Sequence, residues 1–186
     1  MPSERISDAD VVSRCLRDDA GAWRLLVRRH TPLAYRLALR MLRTPAEAED
    51  AAQEVMLRVH RSLGSYDPAR PLPPWIAQIA YHVCLRRLEG SARALAGDDS
   101  ALAEVADGRP APEDAAAAQE AGAMLEEALG TLAAQDRALL ILRYREGLSD
   151  SEVAEATGMP EGTVKTRTFR ARARLRELLG PLMREA

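Results

Sequence analysis

The sequence predicts an all-α protein of two small helical domains, and three observations carry that expectation. Apolar residues make up 47% of the chain but aromatics only 4%, and Ala and Leu outnumber runs of Val and Ile, which favours helices packed through aliphatic side chains over sheets. Apolar positions in both halves recur at helical spacing. Between the halves, residues 91–120 hold seven acidic and two basic residues and almost no large apolar side chain, too little to offset the entropy of ordering. We therefore expect a domain over residues 1–90, a flexible acidic linker over 91–120, and a second domain over 121–186.

In the first domain, Ser7 or Asp8 is placed to cap a helix that Ala20–Gly21 would break. A second helix is expected from about Ala22 to Leu42, with Trp23, Leu26, Val27, Leu33, Leu37 and Met41 on one stripe and Pro32 as a kink. Thr44, Pro45 and Glu47 read as a capping box with proline at the first helical position. The helix that follows puts Ala48, Ala52, Val55, Met56, Val59 and Leu63 on one side and Asp50, Gln53, Glu54 and Arg61 away from it. One face packs, and the other is free for a partner.

Next comes "GSYDPARPLPP", where Tyr66 and Asp67 stand beside Arg70 on a segment stiffened by Pro68, Pro71, Pro73 and Pro74. Composition alone makes it an ordinary helix connection with a buried tyrosine. A further helix from Trp75 offers Ile76, Ile79, Val83 and Leu88 to the same core.

The second domain opens with two helices split near Gly130–Thr131, with Leu125, Leu129, Leu132, Leu139, Leu140 and Leu142 as core. Ser149 and Glu152 form a capping box, Gly158 turns the chain after Thr157, and Pro160 opens a longer helix. Two helices joined by such a turn make a helix-turn-helix, whose second helix enters the major groove of DNA.

That second helix carries the densest charge in the chain. "MPEGTVKTRTFRARARL" holds Lys165, Arg167, Arg170, Arg172 and Arg174 against the single acid Glu161, in a protein of formal net charge −2. At 100° per residue, Val164, Thr168, Ala171, Leu175 and Leu178 form the core stripe, while Lys165, Thr166, Phe169 and Arg170 lie opposite. An Arg-rich solvated face is the ordinary reading. Phe169 argues against it, because an aromatic turned away from the core among cations suits contact with a base edge while arginines hold phosphates.

Both halves resemble the sigma-70 family of bacterial transcription initiation factors, specifically its small extracytoplasmic-function (ECF) group. "PEGTVKTRTFRARARLREL" is similar to the family's region 4 recognition helix, and "AEAEDAAQEVMLRVHRSLGSYDPARPLPPWIAQIA" to region 2. The resemblance implies that Thr163, Lys165, Thr166, Arg167, Phe169, Arg170 and Arg174 contact the minus-35 duplex. It implies that Ser65, Tyr66, Asp67 and Arg70, with His82 and Arg86, meet the minus-10 element, whose unstacked base the loop captures. It implies that Asp50, Gln53 and Glu54 bind the β′ clamp helices of core RNA polymerase, with the β flap as a second polymerase contact. Promoter DNA and an anti-sigma factor complete the implied partners. The family pattern of Ile-Ala-Arg-Asn and a later Asp is replaced here at Tyr81, His82 and Arg86.

Rival readings are weaker. A regulator of the response-regulator output type shares the Thr-Val-Lys pattern but needs an upstream domain with strands, and residues 1–120 show no strand pattern. A metal- or redox-sensing adaptor would use Cys15, His30, His60, His82 and Cys84, yet no pair has zinc-site spacing. No glycine-rich phosphate loop, nucleophile elbow or carboxylate pair suggests an enzyme, so no catalytic residue, metal or cofactor is expected. No apolar run reaches the roughly 18 residues that span a bilayer, and "MPSERISDAD" lacks a signal-peptide core. The protein is expected in the cytoplasm.

Overall fold

The computed structural model describes residues 6–95 and 113–180, with side chains over 6–91 and 122–180, so most of the expected linker lies outside the described residues. Helix α1 (Asp8–Cys15) is capped by Ser7, whose hydroxyl accepts from the Asp10 amide at 3.1 Å. The break after it comes earlier than expected. Asp19, not Ala22, sets the next start: its carboxylate accepts from Gly21 N and Ala22 N at 2.8 and 3.0 Å, so Ala20 and Gly21 form the first turn of α2 (Ala20–Leu42). A side-chain cap there outweighs the weak helix propensity of one glycine.

Helix α2 runs through Pro32 without ending. Leu26, Ala34, Leu37 and Ala38 are fully buried along it, and the alanines let α3 (Pro45–Ser62) and α4 (Leu72–Leu95) approach closely. Thr44 is the residue before α3, but its side chain makes no capping bond. The expected Thr44/Glu47 box is therefore only a proline start. The predicted face of α3 is buried, with Ala51 added to it. Helix α4 continues to Leu95, past the expected domain end at residue 90, and α5 (Glu113–Gly130) begins before 121.

The C-terminal half contains α5, α6 (Ala134–Leu140) with a π-helical turn over Ile141–Arg145, α7 (Asp150–Thr157) and α8 (Glu161–Leu179). Leu129, Leu140 and Ala171 form a small core with Leu132 and Leu175 against it. Leu125, expected in that core, is 40% exposed.

The two halves share their main core. Leu139, Leu142, Val153, Ala156 and Val164 belong to the same buried cluster as Leu37, Ile76 and Tyr81, because α6 packs on α2 and α7 on α4. Polar pairs rim this seam. Arg36 donates from Nε and an Nη to the two Glu146 oxygens at 2.8 and 2.7 Å; Arg40 pairs with Glu126, and Arg70 with Glu155.

Candidate nucleic-acid and polymerase interfaces

The helix-turn-helix is built from strong local signals. Ser149 Oγ accepts from Glu152 N at 3.2 Å while the Glu152 carboxylate accepts from Ser149 N at 2.7 Å, a complete capping box. Gly158 ends α7 at φ 71, a left-handed conformation that an L side chain adopts only at a cost. On α8, Val164, Thr168 and Ala171 are buried as the periodicity requires.

The opposite face is exposed. Phe169 is 66% accessible, more than any other large apolar side chain among the described residues. Thr163, Lys165, Thr166 and Arg170 are exposed around it. Lys165 pairs with Glu161 at 2.6 Å, one turn back on the helix, and Thr166 donates to the Gly162 carbonyl at 2.9 Å. Arg174 pairs with Glu177 at 3.5 Å. Arg170 has no ion-pair or hydrogen-bond partner among the described residues. Arg167 differs from its neighbours: it donates to Asp136 at 2.6 Å and Gln135 at 2.9 Å, which fastens α8 to α6.

The other candidate surface lies where α3 turns into α4. Ser65 donates to the Ser62 carbonyl at 2.7 Å, and Asp67 accepts from Ala69 N at 2.9 Å, so the loop is held by its own side chains. Tyr66 is only 8% exposed. Its hydroxyl donates to the Arg70 carbonyl, and its ring leans on Trp75 at 5.1 Å between centroids. Burial first, then Asp8 and Asp67, raises its phenol above the usual value. A cleft of about 440 Å³ runs beside this loop, bounded by Tyr66, Asp67, Arg70, Trp75 and Gln78 on one wall and Glu152 and Glu155 of α7 on the other.

These two surfaces match known protein families in chain order. Residues 26–94 match the model of sigma-70 region 2, and residues 122–175 that of sigma-70 region 4. The ECF RNA polymerase sigma factor SigM of Mycobacterium tuberculosis (strain ATCC 25618 / H37Rv) is 36% identical over 176 residues, covering 95% of this chain and 86% of its own. The chain belongs to the sigma-70 family, in its ECF group. The RNA polymerase sigma-H factor of Pseudomonas aeruginosa is 32% identical over 187 residues, covering 96% of this chain and 97% of its own. Among solved structures, the sigma factor RpoE in complex with the anti-sigma factor NepR from Bartonella quintana superposes with a TM-score of 0.71 at 25% identity, covering 90% of this chain and 98% of that one.

Within region 2, the three positions that depart from the family pattern have different surroundings. Tyr81 is 1% exposed, a core residue rather than a DNA-facing one; burial raises its phenol, with Arg167 opposing and Asp136 reinforcing the shift. His82 is half-buried, with Nδ1 2.8 Å from the Gln78 carbonyl oxygen, and Arg86 is exposed. On the expected polymerase face, Asp50 and Gln53 are exposed. Glu54 is engaged instead, accepting from Arg58 at 2.6 Å and from Arg87 at 2.8 Å. Burial works to raise its carboxyl, but the bonds from Arg87 and Arg58 win and hold it below the usual range.

Sequence reasoning missed several exposed neighbours. Leu57 is 58% exposed one turn beyond Gln53, so the same phase that selected Gln53 would have found it. Tyr144 is 57% exposed on the π-helical turn and lies 3.4 Å from an Arg172 nitrogen; no local signal marks that turn. Among the described residues, no three His, Cys, Asp or Glu side chains are grouped to hold a metal, and no helix is long and apolar enough to cross a membrane.

Proposed function

We propose that this ECF sigma factor binds core RNA polymerase through region 2 and directs initiation at promoters it reads at two places. The observation that carries the reading is Phe169, exposed among unpaired and surface-paired cations on the second helix of a capped helix-turn-helix. Region 4 docks α8 on the minus-35 duplex, where Lys165, Arg170 and Arg174 hold phosphates or base edges and Phe169 meets an apolar base edge. Region 2 presents the Ser65–Arg70 loop to the melted minus-10 element, with Trp75 and Tyr66 as its aromatic wall. Asp50, Gln53 and Glu54, flanked by Leu57, form the polymerase face.

Two sites on one chain raise each other's effective concentration on a promoter. The protein supplies specificity and no chemistry of its own, works in the cytoplasm where the polymerase is, and is restrained by an anti-sigma factor, as the RpoE–NepR complex suggests by analogy. Run-off transcription with bacterial core polymerase on promoter fragments tests this reading. Discrete transcripts should appear only when the protein is added. DNA binding without transcripts would make it a helix-turn-helix regulator instead.

A further inference from the structure

The seam between the two halves buries a charge that neither promoter contact uses. Arg137 of α6 is 6% exposed, and its Nε is sealed from solvent with no hydrogen-bond partner. No acidic side chain pairs with it among the described residues. Its charged neighbours are two further arginines at the end of α2: Arg40, and Arg43, the left-handed residue that closes that helix. Burial first, and then Arg43 and Arg40, push the pKa of the Arg137 guanidinium down to about 10.

Arg40 pairs with Glu126 of α5. Arg43 has neither an ion pair nor a side-chain hydrogen bond among the described residues. Its guanidinium lies against Gly130 at the end of α5, where a methyl group would come within 2.8 Å of it. Three cations, Arg40, Arg43 and Arg137, against the one carboxylate of Glu126 leave the cluster with two positive charges in excess. Helices α2 and α5 both end here, and the partial negative charge of their last carbonyls favours cations. That effect lets arginines collect, but it gives Arg137 Nε no acceptor. A buried guanidinium stripped of water and left unpaired works against folding until a counter-charge joins it.

We propose that Arg137 and Arg43, with Arg40 beside them, form a binding site for the phosphate group of a small molecule, set across the seam between regions 2 and 4. The planar fork of a guanidinium matches paired phosphate oxygens. A phosphate carries nearly two negative charges near neutral pH, which fits the excess on the cluster better than a single carboxylate does. Arg137 is the buried floor of the site and half-buried Arg43 its solvent side. Arg40 and Arg43 belong to region 2 and Arg137 to region 4, so a phosphate held by them ties the halves together and stabilises the closed arrangement as it binds. The site is independent of the promoter contacts above.

The test is calorimetric titration of the free, full-length protein in chloride buffer with inorganic phosphate, diphosphate and adenosine diphosphate as probes, alongside thermal melting. Wild type should bind saturably and melt higher with phosphate than with chloride at the same ionic strength. Arg43→Gln should weaken phosphate binding by about tenfold or more, the scale of one charged hydrogen bond. Gly130→Ala, which keeps every charge but displaces the Arg43 guanidinium, should weaken it as well. Arg137→Gln should abolish it and, having lost an unpartnered charge, should melt no lower than wild type in chloride. Tighter binding of adenosine diphosphate than of diphosphate would support the site with a nucleotide as the source of the phosphate; equal binding would support it with a free phosphate.

The absence of saturable binding for all three probes would overturn the inference. So would unchanged affinity in Arg43→Gln or Gly130→Ala, which would put the anion elsewhere on this arginine-rich surface. An Arg137→Gln protein that melts far lower yet binds phosphate like wild type would make Arg137 a packing residue, and the inference would fall.

Discussion

Arg167 and Arg170 are three residues apart on one helix, yet one is fastened and the other free. Arg167 commits its fork to Asp136 and Gln135 of α6, so in this arrangement it ties α8 to α6. Arg170 faces solvent with Phe169 beside it. Replacing Arg170 with Ala should cost about 1–3 kcal/mol at the preferred minus-35 sequence and relax discrimination there. Binding to a panel of single-base duplex variants measures this; an even loss across the panel would make it a phosphate contact. Phase around a helix was enough to find Phe169 and Arg170. It was not enough to find the Arg167 contacts, because Asp136 lies 31 residues away.

At the scale of the element, two helix starts with similar sequence cues behave differently. Ser149 and Glu152 close a full capping box on α7, while Thr44 leaves α3 without a side-chain cap. Ser149→Ala should therefore lower stability by about 1 kcal/mol, read as a shift in the denaturant midpoint, whereas Thr44→Ala should change it by less. The box also predicts a pH dependence. Hydrogen bonds from the Ser149 side chain and amide hold the Glu152 carboxyl below its usual value. A depressed carboxyl contributes stability that is fully present above its unfolded value near 4.5 and is lost as pH falls through the folded value. Stability measured from pH 6 down to 3 should thus fall less steeply in Ser149→Ala than in wild type. Cap motifs span only four residues, which is why they were legible in the sequence, but a hydroxyl's final rotamer depends on its surroundings.

For the whole molecule, the decisive feature is the shared core that joins regions 2 and 4. Glu146 is nearly buried at 6% side-chain exposure and depends on Arg36, which is 38% exposed. Hydrogen bonding to Glu146 raises the Arg36 guanidinium above its usual value, against the effect of burial. Arg36→Ala would leave the carboxylate without its partner, a loss between the surface and buried limits for ion pairs, roughly 1–3 kcal/mol. The domains should then separate more readily, seen as a larger radius of gyration in solution scattering. An unchanged radius and melting temperature would show that the apolar seam alone holds them. The closed arrangement also sets Glu155 of α7 against Arg70 of the loop between α3 and α4.

The sequence by itself determined the helices, the side-chain caps of α1 and α7, the buried stripe and exposed cations of α8, and the sigma-70 resemblance of both halves. These signals act within a few residues of one another, through periodicity, capping chemistry and local charge. Tertiary structure alone decided that Tyr81 is buried, that Glu54 is neutralised by Arg58 and Arg87, and that the two domains meet. The Arg36–Glu146 pair joins residues 110 positions apart. Contacts of that range depend on which surfaces fold against each other, and no short stretch of sequence records it.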